Sequence, residues 1–173
     1  MNITKYKKHG VNTARAIVLV FVSLILFLSC SRSSKVCFMG KELNTPKKEF
    51  VKHLEDNGFI LDGNSYIGKY LDEDVFIILV GEEGDFYKSI VVSSVFADLQ
   101  KANEFFEKAC RTISKEHYGF KETDESSFGM IGREFSNQEG GTIKVLYATE
   151  PNNMAMVSIA YYVEHNSKET SDL

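Results

Sequence analysis

Tryptophan is absent from this chain, proline occurs only at Pro46 and Pro151, and cysteine only at Cys30, Cys37 and Cys110. Without tryptophan a glycosidase lacks its strongest sugar-stacking side chain, although a carboxylate pair brought together by folding stays open. The sequence also lacks a G-x-S-x-G elbow, an H-E-x-x-H pair, a P-loop and a Gly-x-Gly-x-x-Gly turn. Each of these would have announced a nucleophile, a zinc site or a phosphate cradle by spacing alone. Low-complexity sequence is confined to Ser31–Lys35. A spanning helix needs about 20 apolar residues to cross about 30 Å of hydrocarbon. The run Ala16–Leu28 has thirteen uncharged residues, too few for that.

What is there begins with an address. Lys5, Lys7, Lys8 and Arg15 precede the apolar run, with no acidic residue among them. A basic leader and a short apolar segment have the form of a secretory signal. Leu28-Ser29-Cys30 then resembles a bacterial lipobox, with small Ser29 before the cysteine and Phe27 where the motif usually has leucine. The resemblance implies cleavage of residues 1–29 and acylation of Cys30 by chains such as palmitate. Several chains hold firmly, because each buried CH₂ contributes about 0.8 kcal/mol and one chain alone binds marginally. Ser31 is not the aspartate associated with inner-membrane retention, and residues 31–35 lack an acidic export run. By this analogy the expected location is the cell envelope, anchored to the outer membrane and facing the periplasm. An ordinary signal peptide and an uncleaved anchor are the alternatives.

Cleavage would change the charge. Residues 1–29 hold four of the 20 basic residues and none of the 24 acidic ones, so 16 remain against 24, a net charge of −8. Nucleic-acid phosphates demand Lys/Arg neutralisation, so an acidic body excludes that partner class. About 144 residues suit one domain that buries about 68% of its unfolded surface. Residues 30–36 form a lipidated tether, 37–165 the domain in two halves (37–97 and 98–165), and 166–173 a polar tail. In an oxidising compartment Cys37 and Cys110 can bridge. Alternatively Cys110, on an apolar helix face, serves as a small hydrophobe.

The body reads helix, strands, helix, strands. Thr45 caps a first helix with Pro46 at its first position, Phe50, Val51 and Leu54 forming its stripe and Gly58-Phe59 closing it. Asp98 caps a second helix, with apolar residues from Leu99 to Ile113 at helical spacing and Gly119-Phe120 at its end. Three strand-like runs follow each: 66–71, 75–80 and 87–96, then 132–136, 142–148 and 154–163. The expected fold is α+β, a tandem αβββ repeat with a mainly antiparallel sheet and both helices on one face. Ile143, Val145 and Tyr147, and Ala155 through Val163 in alternation, should face the helices. Val75–Val80 is apolar in both phases, so its second face is either covered or greasy and exposed.

Phe38-Met39-Gly40, Glu49-Phe50-Val51, Leu54, Gly58-Phe59, Gly141-Thr142-Ile143 and Val157–Tyr161 resemble small uncharacterised lipoproteins of anaerobic gut-type bacteria. The layout is similar to β-lactamase-inhibitor-like and PepSY-like αβββ modules, which bind proteins and are not enzymes; it implies no catalytic residue. His53 and His117 lie on helices and His165 in the tail, without ligand spacing for a metal. Asp72-Glu73-Asp74 and Glu82-Glu83-Gly84-Asp85 read as hairpin turns, and Glu122, Asp124 and Glu125 as loop. No cofactor is expected. The leading expectation is a non-catalytic protein-binding or scaffold module that engages an envelope protein through Met154, Met156 and Tyr162. A small-molecule or glycan receptor using Tyr66, Tyr87 or Tyr161 is the alternative, and a hydrolase the reading least supported.

Overall fold

The computed structural model describes residues 35–83, 85–127, 130–149 and 153–163. Cys30, the leader and most of the tether, His165 and the polar tail lie outside them. A small hairpin, β1 (Cys37–Phe38) and β2 (Lys41–Glu42), leads into α1 (Lys47–Asp56). Four strands follow: β3 (Ile60–Asp62), β4 (Ser65–Tyr70), β5 (Glu73–Glu83) and β6 (Phe86–Phe96). After α2 (Leu99–Glu116) come β7 (Lys121–Ser127), β8 (Met130–Ser136), β9 (Gly141–Thr149) and β10 (Ala155–Val163). These eight strands form one antiparallel sheet in the order β3-β4-β5-β6-β10-β9-β8-β7. The protein is α+β, a mainly antiparallel sheet with two helices packed on one face.

Period-two alternation explains the core. In register, Tyr66, Ile77, Val92, Ile159 and Val145 lie side by side across five strands, all buried beneath the helices. The expected inward residues Ile143, Val145, Ala155, Val157, Ile159 and Tyr161 are buried, while Tyr147 and Val163 pack at the margin. Over this face α2 lays Ala102, Phe105, Phe106, Ala109, Cys110 and Ile113, and α1 adds Phe50 and Leu54. Asp98 caps α2 by accepting from the N–H groups of Gln100 (2.8 Å) and Lys101 (3.3 Å). Gly58, at φ +83°, closes α1, with Gly58 N–H donating to Glu55 O and Phe59 N–H to Leu54 O, each at 3.0 Å. That paired pattern is a Schellman closure.

Several expectations need correction. Pro46, not Thr45, is the N-cap of α1, and no side chain caps it. Four strands, not three, follow each helix. The overlooked β3 spans three residues, and β7 (KETDESS) has no apolar alternation to betray it, so Glu122, Asp124 and Glu125 are strand rather than loop. The helix closures also differ. Phe120 N–H donates to His117 O at 3.3 Å, a shorter loop than the one closing α1. The tether ends earlier than residue 36, because Val36 is buried and its carbonyl accepts from Leu43 N–H at 2.9 Å.

Candidate functional site

The sheet face opposite the helices carries no helix among the described residues. Strand register places Ile60, Ile67, Phe76, Ser93, Ser158, Leu146 and Gly132 in one row across it. Beside that row lie Ile78, Val91, Ala160, Lys144 and Glu134, and at the margins Val80, Val95 and Met156. Exposure of Ile60, Ile67, Ile78, Val80 and Val95 runs from 41% to 72%. The doubly apolar run Val75–Val80 is thus resolved: Val75 and Ile77 enter the core, and Phe76, Ile78 and Val80 line the open face. At the face's centre the Ser93 and Ser158 hydroxyls hydrogen-bond at 2.8 Å.

Across the sheet the character changes from apolar to charged. Lys144 lies 2.9 Å from Glu134 and 3.5 Å from Glu125. The hydrogen bond to Glu134 is the main cause of the raised Lys144 pKa. Leu146 lies over Gly132, where an added Cβ would stand 2.5 Å from Val145 O and 2.8 Å from Leu146 Cδ2. The face therefore joins a half, β3 to β6, whose exposed side chains are mainly apolar but include the Lys69–Asp74 pair (3.2 Å), to a half organised by the ion pairs of Lys144.

Of the residues expected to form a partner surface, Met156 and Tyr162 occupy this face on β10, six residues apart and half-buried. Met154 is exposed just before the strand. The most exposed apolar side chains of the face come instead from β3 to β6. The tyrosines considered for a ligand cleft do not line one together. Tyr66 and Tyr161 are core residues, and Tyr87 packs edge-on against Phe50 with Lys47 over its ring.

Beneath the helices lies a buried polar and aromatic cluster. Phe38 packs against Phe59, Tyr70 and Tyr161, and the Tyr70 and Tyr161 hydroxyls hydrogen-bond at 3.3 Å. Burial pushes the Tyr70 phenol up to about 12 and that of Tyr161 well above its usual value. His117, only 3% exposed, bridges α2 to β1. Its Nδ1 is 3.2 Å from Ile113 O, and its Nε2 is 3.2 Å from Cys37 N and 3.1 Å from Cys37 O. The bridge considered between Cys37 and Cys110 is not formed; both are buried thiols. Cys37 is held in β1 through His117, whereas Cys110 has Arg133, Glu107 and Glu122 around it. Burial pushes the Cys110 thiol up to about 12, so it is a poor nucleophile.

His53 stands on α1, its Nδ1 3.4 Å from Asn57 Nδ2 and its ring near the Phe38 and Met39 backbone, with no hydrogen bond of good geometry to its buried Nε2 among the described residues. Asp72 lies in the β4–β5 turn, where Leu71 and Asp72 both have positive φ, and Lys108 donates to Leu71 O (2.9 Å) and pairs with the Asp72 carboxylate. Among the described residues no three His, Cys, Asp or Glu side chains are placed to hold a metal, and no helix is long and apolar enough to cross a membrane. A shallow basin of about 320 Å³ is lined by Gly119, Lys121, Ser136, Asn137, Gln138 and Glu139. Nothing in the sequence marks Arg133, which pairs with Glu107 (3.0 Å) and Glu122 (3.1 Å) and stands over the Phe106 ring. Its partners come from a helix and another strand, so no local spacing could reveal it.

Fold and face together define an α+β domain with one helix-covered sheet face and one that carries no helix among the described residues. No family model, curated protein or solved structure matches this chain.

Proposed function

We propose that this protein is an envelope lipoprotein, acylated at Cys30, whose open sheet face binds another envelope protein without catalysis. The observation that carries the reading is the exposed apolar half of that face. Ile67, Ile78, Val80 and Val95 are exposed on the same sheet face, and clustered exposed apolar side chains mark interaction sites. The ion-paired half, with Lys144 between Glu125 and Glu134, supplies the polar rim such interfaces use. Met154, Met156 and Tyr162 then sit at the partner's margin. The basic leader, short apolar run and Leu28-Ser29-Cys30 support an outer-membrane, periplasm-facing anchor and kinship with small bacterial lipoproteins. The mirrored strand order about the β6–β10 pair supports descent of the two halves from a duplicated αβββ unit, each carrying one further strand.

The test replaces Ile78 and Val95 by lysine. Both are far from fully buried, so stability should change by no more than about 0.5 kcal/mol per site. Cross-linking in native membranes should lose the adduct that the unsubstituted protein forms, with the unfolding midpoint preserved. An undiminished adduct in the folded double variant rejects the open face as the binding surface.

A further inference from the structure

The strands run from one end of the molecule to the other, and the two ends differ. At one end Val36 packs at Gly141, where a Cβ would stand 2.8 Å from Val36 Cγ2, and Cys37 N lies 3.2 Å from His117 Nε2. His117 is the C-cap of α2, and the next residue, Tyr118, is 75% exposed. The basin containing Lys121 and Asn137 opens beside it. At the other end Phe96 pairs with Ala155 and leads through Asp98 into Leu99, the exposed first residue of α2. Eighteen residues of α2 separate the two ends, about 27 Å at 1.5 Å per residue.

We propose that the end bearing Tyr118 rests on the lipid bilayer, with the Tyr118 ring in the headgroup region. This rests on acylation of Cys30. Five residue steps separate Cys30 from Lys35, so the chain spans at most about 18 Å between the acylated sulfur and the folded body. A tether that short keeps the end where the chain enters the fold nearest the membrane and the Leu99 end, about 27 Å away, beyond its reach. Tyr118 is the side chain suited to that boundary, with an apolar ring and a polar tip. Lys115 and Lys121 lie three residues to either side of it in sequence, whereas Glu116, Glu139 and, in the β5–β6 turn that reaches the same end, Asp85 keep this end from being basic. Bilayer contact here is therefore set by tether and ring rather than by net charge. It also stands the strands up from the membrane, so the open face looks sideways at neighbouring proteins.

The natural absence of tryptophan supplies the test. Tyr118→Trp and Leu99→Trp would be made separately in the full chain, purified with its acyl groups and inserted into phosphatidylethanolamine–phosphatidylglycerol vesicles containing acyl-brominated lipid. Both positions are exposed, so both variants should fold, which circular dichroism checks. The expected result is a blue-shifted, strongly quenched Tyr118→Trp emission beside a water-like, unquenched Leu99→Trp emission. Equal quenching of both, or quenching of neither, in protein whose mass shows the acyl groups overturns the orientation and leaves the anchor standing. Protein whose mass shows no acyl group overturns both.

Discussion

His117 keeps a backbone partner in either charge state. Neutral, with the proton on Nδ1, it donates to Ile113 O while Nε2 accepts from Cys37 N–H; protonated, Nε2 donates to Cys37 O instead. Burial still dominates and lowers its pKa, with the bonds to Ile113 and Cys37 opposing. The unfolded ring titrates near about 6.5, so below that value the unfolded chain holds the extra proton. The stability tied to the neutral ring is therefore complete above about pH 7.5 and is lost as pH falls through about 6.5 towards the lowered folded value. Denaturant midpoints should fall between about pH 7 and 5, and His117→Gln should flatten that part of the profile. An unchanged slope in the variant would show that other groups, such as His53 with its similarly lowered pKa, carry the dependence. His117→Ala should cost about 1–3 kcal/mol at neutral pH by removing the two buried side-chain bonds, to Cys37 N–H and Ile113 O, that join β1 to α2. Local sequence places His117 in the last turn of a helix; only folding brings Cys37 to its ring.

Among the elements, β4 depends on a residue with no side chain. A Cβ on Gly68 would lie 2.5 Å from Phe59 Cδ1, and Phe59 is buried with its backbone held by the closure of α1. Gly68→Ala should therefore destabilise by about 1–3 kcal/mol through overpacking, measured by urea unfolding, and trimming Phe59 to Leu in the same chain should recover part of the loss. A loss that Phe59→Leu cannot relieve would place the strain elsewhere. The two helices were legible because Asp98, Gly58 and the apolar stripes state their ends and buried faces locally. The strands β5, β6, β9 and β10 were legible from apolar content and turn residues. The edge strands were not. A charged β7 and a three-residue β3 are held by pairing with β8 and β4, and pairing partners leave no mark in either segment. The ion pairs of Arg133 and Lys144 were hidden for the same reason, since each spans elements distant in sequence.

For the whole molecule, the proposed anchor and the domain make separate demands. Cys30→Ala should release a soluble body and abolish acyl labelling in growing cells, while leaving the unfolding midpoint unchanged, because the core of the described residues runs from Val36 onward. Continued labelling of that variant would reject lipidation at Cys30. The sequence by itself determined the acidic balance, the α+β class and the inward set of the central strands. These depend on composition and short-range periodicity, which each segment carries alone. Only the tertiary structure decided that the doubly apolar strand β5 sends Val75 and Ile77 into the core and leaves Phe76 and Ile78 on an open face. Alternation assigns residues to two faces, but which face the helices cover depends on how the chain packs across the sheet.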